Sequence, residues 1–181
     1  MKHLLSRTCL FLLGLLPLAA SPLAAQGVGE DTVVTSDKLE MVGKDEQNHF
    51  FFQDNVVVTG TNLKATCDEM TVIASRVTEQ AAVGELGTIT SITLVGHVVI
   101  EQSGRRAESG RAEIFPREGK VVLTEDPVVY DSEGTVKGER IELYKNEKKA
   151  RVFGAAKGQP GKRPTVTLPS IGDMGYKEGS K

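Results

Sequence analysis

The chain has 181 residues, of which 39% are hydrophobic and 5% aromatic, with 19 glycines and no tryptophan. That length allows one domain with a sizeable core, and the scarcity of aromatics leaves Val, Ile, Leu and Met to fill it. A formal net charge of −2 without a basic, aromatic groove argues against nucleic acid as a partner; after residue 30 no sustained 3.6-residue apolar period argues for a helical domain.

The first 25 residues read as a secretory signal peptide. Lys2 and Arg7 form a basic start, Cys9 to Leu18 is a short apolar run, and Ser21 to Ala25 offers small residues for cleavage after Ala25. Gly14 and Pro17 interrupt a run already short for a membrane span. Residues 26–31 form a polar, mobile leader. Cleavage removes two basic residues and no acid, and leaves Cys67 as the only cysteine, so no internal disulfide forms. A lone thiol inside a strand reads as a small, buried, inert residue.

An eight-residue phrase then recurs. It begins at Val34 (VTSDKLEM), Ala65 (ATCDEMTV), Ala107 (AESGRAEI) and Val136 (VKGERIEL). A strand precedes three of the copies, at 55–58, 97–100 and 127–130. The stretch 94–115 shows the whole unit: strand, turn at 103–105, strand. A period of about 30 residues holding two strands is an antiparallel β-repeat, of which one unit cannot bury its apolar face alone. In each phrase the apolar pairs fall five residues apart, which reverses their parity. A bulge or corner at Asp37, Asp68, Gly110 and Glu139 restores one inward face, the device by which a strand bends from one sheet into another.

Between the phrases, His49 to Phe52 opens a strand with Phe50 and Phe52 on one face and Phe51 on the other. Apolar residues on both faces imply two stacked sheets or a closed roll. Residues 75–87 read as an insertion, 88–94 and 121–124 as strands rich in β-branched residues, and 150–153 as the last full strand. From Gly154 onward Gly and Pro punctuate the chain. Residues 165–168 fit an edge strand between prolines, and 171–181 a disordered tail.

Nothing in the sequence carries catalysis. His49 and His97 sit in no nucleophile elbow, metal-binding pair or phosphate loop. His97, Asp54 and Asp126 read as turn residues ahead of strands. Glu108, Glu113, Glu139 and Glu142 read as a solvated face. No enzyme activity, cofactor or metal is expected. What remains is the apolar interior, and the sequence leaves open whether it is fully packed or an apolar groove.

Several elements together resemble the LptA/OstA-like family of periplasmic lipopolysaccharide-transport proteins: Val34-x-Ser36-Asp37, Phe52-x-x-Asn55-Val56-x-Val58 with Gly60, Val121 to Thr124, Val136-x-Gly138-Glu139-x-Ile141 and 161–170. The resemblance covers nearly all of 32–170. It implies an all-β fold, an antiparallel two-sheet β-jellyroll built from repeated strand-turn-strand units. It also implies lipid A acyl chains held between the sheets, and end-to-end joining with its own kind and with same-fold components at the inner and outer membranes. Carried over by motif, Val34, Ile100 and Ile114 line the lipid path, with Thr32 and Pro116 beside them. Asp126-Pro127 replaces the family's Gly-Asn, which suggests an altered edge, and 75–87 does not align. Two rivals to a free carrier are a membrane-anchored component of the same pathway and a packed assembly module without a lipid ligand.

Overall fold

A computed structural model describes residues 31–76, 87–145, 147, 149–158 and 161–169. The signal segment, the leader before Asp31, residues 77–86 of the insertion and the tail 171–181 lie outside the described residues. Within them the chain forms twelve strands and no helix: β1 (Val33–Thr35), β2 (Lys38–Lys44), β3 (Gln47–Gly60), β4 (Leu63–Ser75), β5 (Ile89–Gln102), β6 (Arg105–Phe115), β7 (Lys120–Thr124), β8 (Val128–Asp131), β9 (Gly134–Lys137), β10 (Arg140–Tyr144), β11 (Lys149–Phe153) and β12 (Thr165–Thr167). Every pairing is antiparallel, and the strands make one open sheet.

A seam crosses this sheet and divides it into two arms. The register of β3 with β4 jumps between Gln53 and Val56, and that of β5 with β6 between Val95 and Val98. At each jump two residues oppose one, which is a β-bulge and bends the strand. The doubled residues are left-handed: Asp54 and Asn55, Gly96 and His97, and Glu125 and Asp126 between β7 and β8. Asp, Asn and Gly reach that conformation most easily. Opposite them stand Asp37, Asp68, Gly110 and Glu139, the four positions at which the sequence pattern demands a corner.

The turn reading of Asp54 and His97 needs correction, because both lie inside continuous strands. Two left-handed residues in succession preserve side-chain parity, so Phe50, Phe52, Val56 and Val58 all face inward along β3. The seam is tied by polar contacts. Asp37 N–H donates to Asp54 O (3.0 Å) and Gly110 N–H to Glu125 O (2.7 Å). Asn55 Nδ2 donates to Asp37 Oδ2 (2.7 Å), and His97 Nδ1 lies 2.8 Å from Asp68 Oδ2. Asp126 pairs with Lys162, whose backbone N–H also donates to Glu139 Oε1.

Gly96 has φ +76°, and a Cβ there would stand 2.1 Å from Asp68 Oδ2 and 2.9 Å from Asp68 Cβ. Gly96→Val therefore combines a left-handed β-branched residue with a clash against the opposing strand. The expected loss is about 2–4 kcal/mol, read as a lower Tm in thermal melts; an unchanged Tm would mean the seam tolerates side chains there.

The upper arm holds β2, the seam-to-tip halves 47–53, 69–75, 89–95 and 111–115, then β7, β10 and β11. The lower arm holds β1, the halves 56–60, 63–66, 98–102 and 105–108, then β8, β9 and β12. Residues of both arms join one core, including Phe50, Leu94, Leu123 and Ile141 from the upper and Val56, Ala65 and Val98 from the lower. This is the two-layered jellyroll that the family resemblance implies, made by folding one sheet.

Three local expectations change. Phe51 is half-buried on the outer face against His49, with ring centroids 6.0 Å apart, so it needs no second sheet to cover it. Glu142 is buried rather than solvated: Tyr144 Oη donates to Glu142 Oε2 at 2.7 Å and Arg140 pairs with Oε1. The Tyr144 hydroxyl, helped by Arg140 and Lys120, holds the Glu142 carboxyl below its ordinary pKa. Asp126-Pro127 alters no edge, since it joins β7 and β8 in mid-sheet with Pro127 fully buried.

Cys67 is buried at the seam, and burial pushes its thiol up to about 11, with Asp68 adding and a Val95 backbone hydrogen bond opposing. The thiol should resist alkylation at pH 8 in the native protein and react at once in urea. Because the native value is raised, its contribution to stability is complete below pH 9 and is lost as pH climbs through about 11. Rapid native alkylation at pH 8 would contradict this burial.

Candidate functional site: an apolar trough between the arms

From β5 to β10 burial falls away from the seam. In the inner row nearest it, Met70, Leu94, Ala112, Leu123 and Ile141 of the upper arm are all 0–3% exposed. In the next row outward Ile92, Ile114, Val121 and Leu143 are only half-buried. The lower arm repeats this: Val56, Cys67 and Val98 are buried by the seam, while Ile100, Ala107, Val129 and Val136 are half-buried one row out. From β5 to β10 side chains of one core thus become accessible toward the tips of both arms. On β3 and β4, by contrast, Phe50, Val72 and Ala74 of the upper arm and Val58 and Ala65 of the lower stay buried. The second rows of the two arms contain no ionisable side chain.

Apart from Ser109, buried beside Val98 in the row nearest the seam, the polar groups lie toward the tips of the arms. On the lower arm Arg105 Nε lies 2.8 Å from Asp131 Oδ2. On the upper arm the buried Asn48 accepts from Arg76 Nε through Oδ1 at 3.2 Å. A depression of about 490 Å³ at the hairpin ends around Asn62, Lys64, Gln102 and Arg105 is polar at its margin and separate from the apolar rows. Among the described residues no cluster of His, Cys, Asp or Glu has the arrangement of a metal site. The trough has the chemistry to solvate alkyl chains: burying each CH₂ contributes roughly 0.8 kcal/mol, without direction.

The positions singled out in the sequence fall along this trough. Ile100 sits on β5 between Ala65 and Ala107, in the lower second row. Ile114 sits on β6 between Ile92 and Val121, in the upper second row. Neighbouring strands thus carry one of the pair into each arm. Val34 is half-buried on the edge strand β1 beside Val58, three strands from Ile100. Thr32 and Pro116 continue the inward parity of Val34 and Ile114 to the rim, where both are exposed.

The sequence reading passed over Ile92, Val121, Leu143, Val129 and Val136. Their alternation was visible in the sequence, but the distance of each from the seam and its place across the sheet follow only from the cross-strand register.

Comparison with known proteins agrees with this architecture. A family model described as LptA/(LptD N-terminal domain) LPS transport protein matches residues 33–149. The fold is similar to the crystal structure of LptH, the LptA-homologous periplasmic component of the lipopolysaccharide transport device from Pseudomonas aeruginosa. The TM-score is 0.60 at 20% identity, over 78% of this chain and 96% of that one. The comparison with curated proteins finds no match. The family match spans more than half of the chain, from β1 to the start of β11, and includes every strand that builds the half-buried rows. The chain belongs to the LptA/LptD N-terminal domain family of lipopolysaccharide-transport proteins.

Proposed function

We propose that the chain is a periplasmic carrier and bridge for lipopolysaccharide, exported by its signal peptide and working without catalysis. Lipid A acyl chains would lie in the trough on Ile100 and Ile114, with Val34, Thr32 and Pro116 at its N-terminal edge and rim. The observation that carries this reading is the pair of uncharged rows on the two arms, half-buried from β5 to β10. Contacts of this kind are non-directional, so transfer between neighbouring carriers is close to isoenergetic. Directed flow then draws on an energy source outside this chain.

The open edges support end-to-end joining with copies of itself and with same-fold components at the inner and outer membranes. β1 and β2 end the sheet on one side, β11 and β12 on the other. Of the exposed large apolar side chains among the described residues, all but Tyr130 lie at these edges: Val33, Leu39, Met41 and Val42 at one, Phe153, Val166 and Leu168 at the other. Unpaired edges with apolar side chains invite strand addition.

Native mass spectrometry of the mature protein, released gently from an envelope extract, tests the reading. A bound mass equal to lipopolysaccharide supports it, and a persistently ligand-free mass leaves the packed assembly module as the better account. An N-terminus at Gln26 in the same sample separates a free carrier from a membrane-anchored component.

A further inference from the structure

We infer that end-to-end joining of two copies is set in register by a charge pair, Arg151 on β11 of one copy against Glu40 on β2 of the next. The inference rests on the end-to-end reading above and adds which residues meet. Cross-strand rows run unbroken through the upper arm. One outward row begins at Glu40, passes Phe51, Thr71, Thr93, Glu113, Val122 and Glu142, and ends at Arg151. The neighbouring inward row begins at Leu39 and ends at Val152; in the lower arm an inward row begins at Val34 and ends at Val166.

Each arm contains eight antiparallel segments. With an even number, the last segment and the first segment of a following copy are again antiparallel, and backbone groups left outward on one edge match those on the other. Continuing every row places Leu39 beside Val152, Met41 beside Ala150 and Val34 beside Val166, so the apolar interior passes unbroken from copy to copy. A slip of one residue turns the apolar rows outward.

Slips of two residues keep the faces, and charge distinguishes them. In the continuing register the outward partners are Lys38 with Phe153, Glu40 with Arg151 and Val42 with Lys149. One slip opposes Arg151 to Lys38, which offsets the Glu40–Lys149 pair it also makes; the other opposes Lys149 to Lys44 and makes no opposite-charge pair, and like charges directly opposite are unfavourable. Glu40 and Arg151 are both exposed, and among the described residues neither forms an ion pair. Arg151 lies instead over the Tyr144 ring, 5.6 Å from its centroid. Glu40 and Arg151 thus stand without an ion pair, with opposite sign, at the two ends of one row.

Two mass-distinguishable proteins, Leu39→Cys and Val152→Cys, which both keep Glu40 and Arg151, are mixed under mild oxidation. Cys67 is buried, so each carries one reactive thiol and covalent growth stops at dimers. Directly opposed strand positions lie within disulfide reach and diagonal ones do not. The expected result is a mixed dimer from this pair, and little from Leu39→Cys with Ala150→Cys, which reports the slipped register. Predominance of the second dimer would overturn the charge-set register while leaving end-to-end joining intact. Sedimentation of the unmodified protein as a monomer at all concentrations would overturn both. Glu40→Lys alone should weaken self-association about tenfold. Glu40→Lys with Arg151→Glu in the same chain should restore it, and failure to restore would count against the pair.

Discussion

Leu94→Ala is expected to destabilise the protein by about 2–5 kcal/mol, with the midpoint of urea unfolding lowered and its slope unchanged. Leu94 is 1% exposed in the row nearest the seam, between Met70 and Ala112. Ala112 is already as small as a strand residue with a side chain can be, so it cannot move in to fill the space. The backbone on both sides is fixed by ladders to β4 and β6, which limits collapse and places the loss in the upper part of that range. A loss below about 1 kcal/mol would mean that the seam row is not the packed part of the core.

Ile100→Asp should behave in the opposite way, leaving a folded protein that no longer holds lipid. Ile100 lies one row farther from the seam, half-buried, where water reaches the side chain. A carboxylate there remains hydrated in the empty trough, so the cost to folding stays near 1–2 kcal/mol. With acyl chains present the same carboxylate must lose water against hydrocarbon, and affinity should fall tenfold or more. Displacement of a fluorescent acyl probe, measured beside a cooperative thermal melt, reads both quantities. Unfolding of the variant would place Ile100 in the core, and undiminished binding would place the lipid elsewhere. The contrast between Leu94 and Ile100 tests the burial gradient itself.

Much of the fold was legible in the chain. The phrase at 34, 65, 107 and 136 gave the repeated unit, and its parity reversal gave the corner, because a strand's period of two leaves no other way to keep one apolar face inward. The doubled left-handed residues were harder to read. Asp54-Asn55 and Gly96-His97 have turn composition, and composition does not distinguish a turn between strands from a bulge within one. Phe51 misled because an outward aromatic can be covered by a neighbour in its own sheet, here His49. Glu142 misled because alternation reports the face but not whether Arg140 and Tyr144 close over it.

The trough was only half legible. Ile100 and Ile114 were found through family resemblance and lie in its open rows, but their partners Ile92, Val121 and Val136 were not distinguishable from seam residues such as Leu123. Distance from the seam, together with position across the sheet, decides which apolar side chains are packed and which remain accessible. That distance is set jointly by three bulges far apart in sequence, so no single stretch displays it. The unpaired charges at Glu40 and Arg151 belong to the same class. Each is an ordinary exposed residue until the register places both in one row.

The most direct test of lipid held between the arms is site-specific photo-crosslinking, with benzoylphenylalanine placed in turn at Ile114 and at Thr93. The two positions lie on adjacent strands of the same arm, one facing the trough and the other on the outer face opposite Glu113. In cells making lipopolysaccharide, the account predicts adducts from Ile114 and none from Thr93. Adducts from Thr93 with none from Ile114 would put the lipid outside the fold and contradict it.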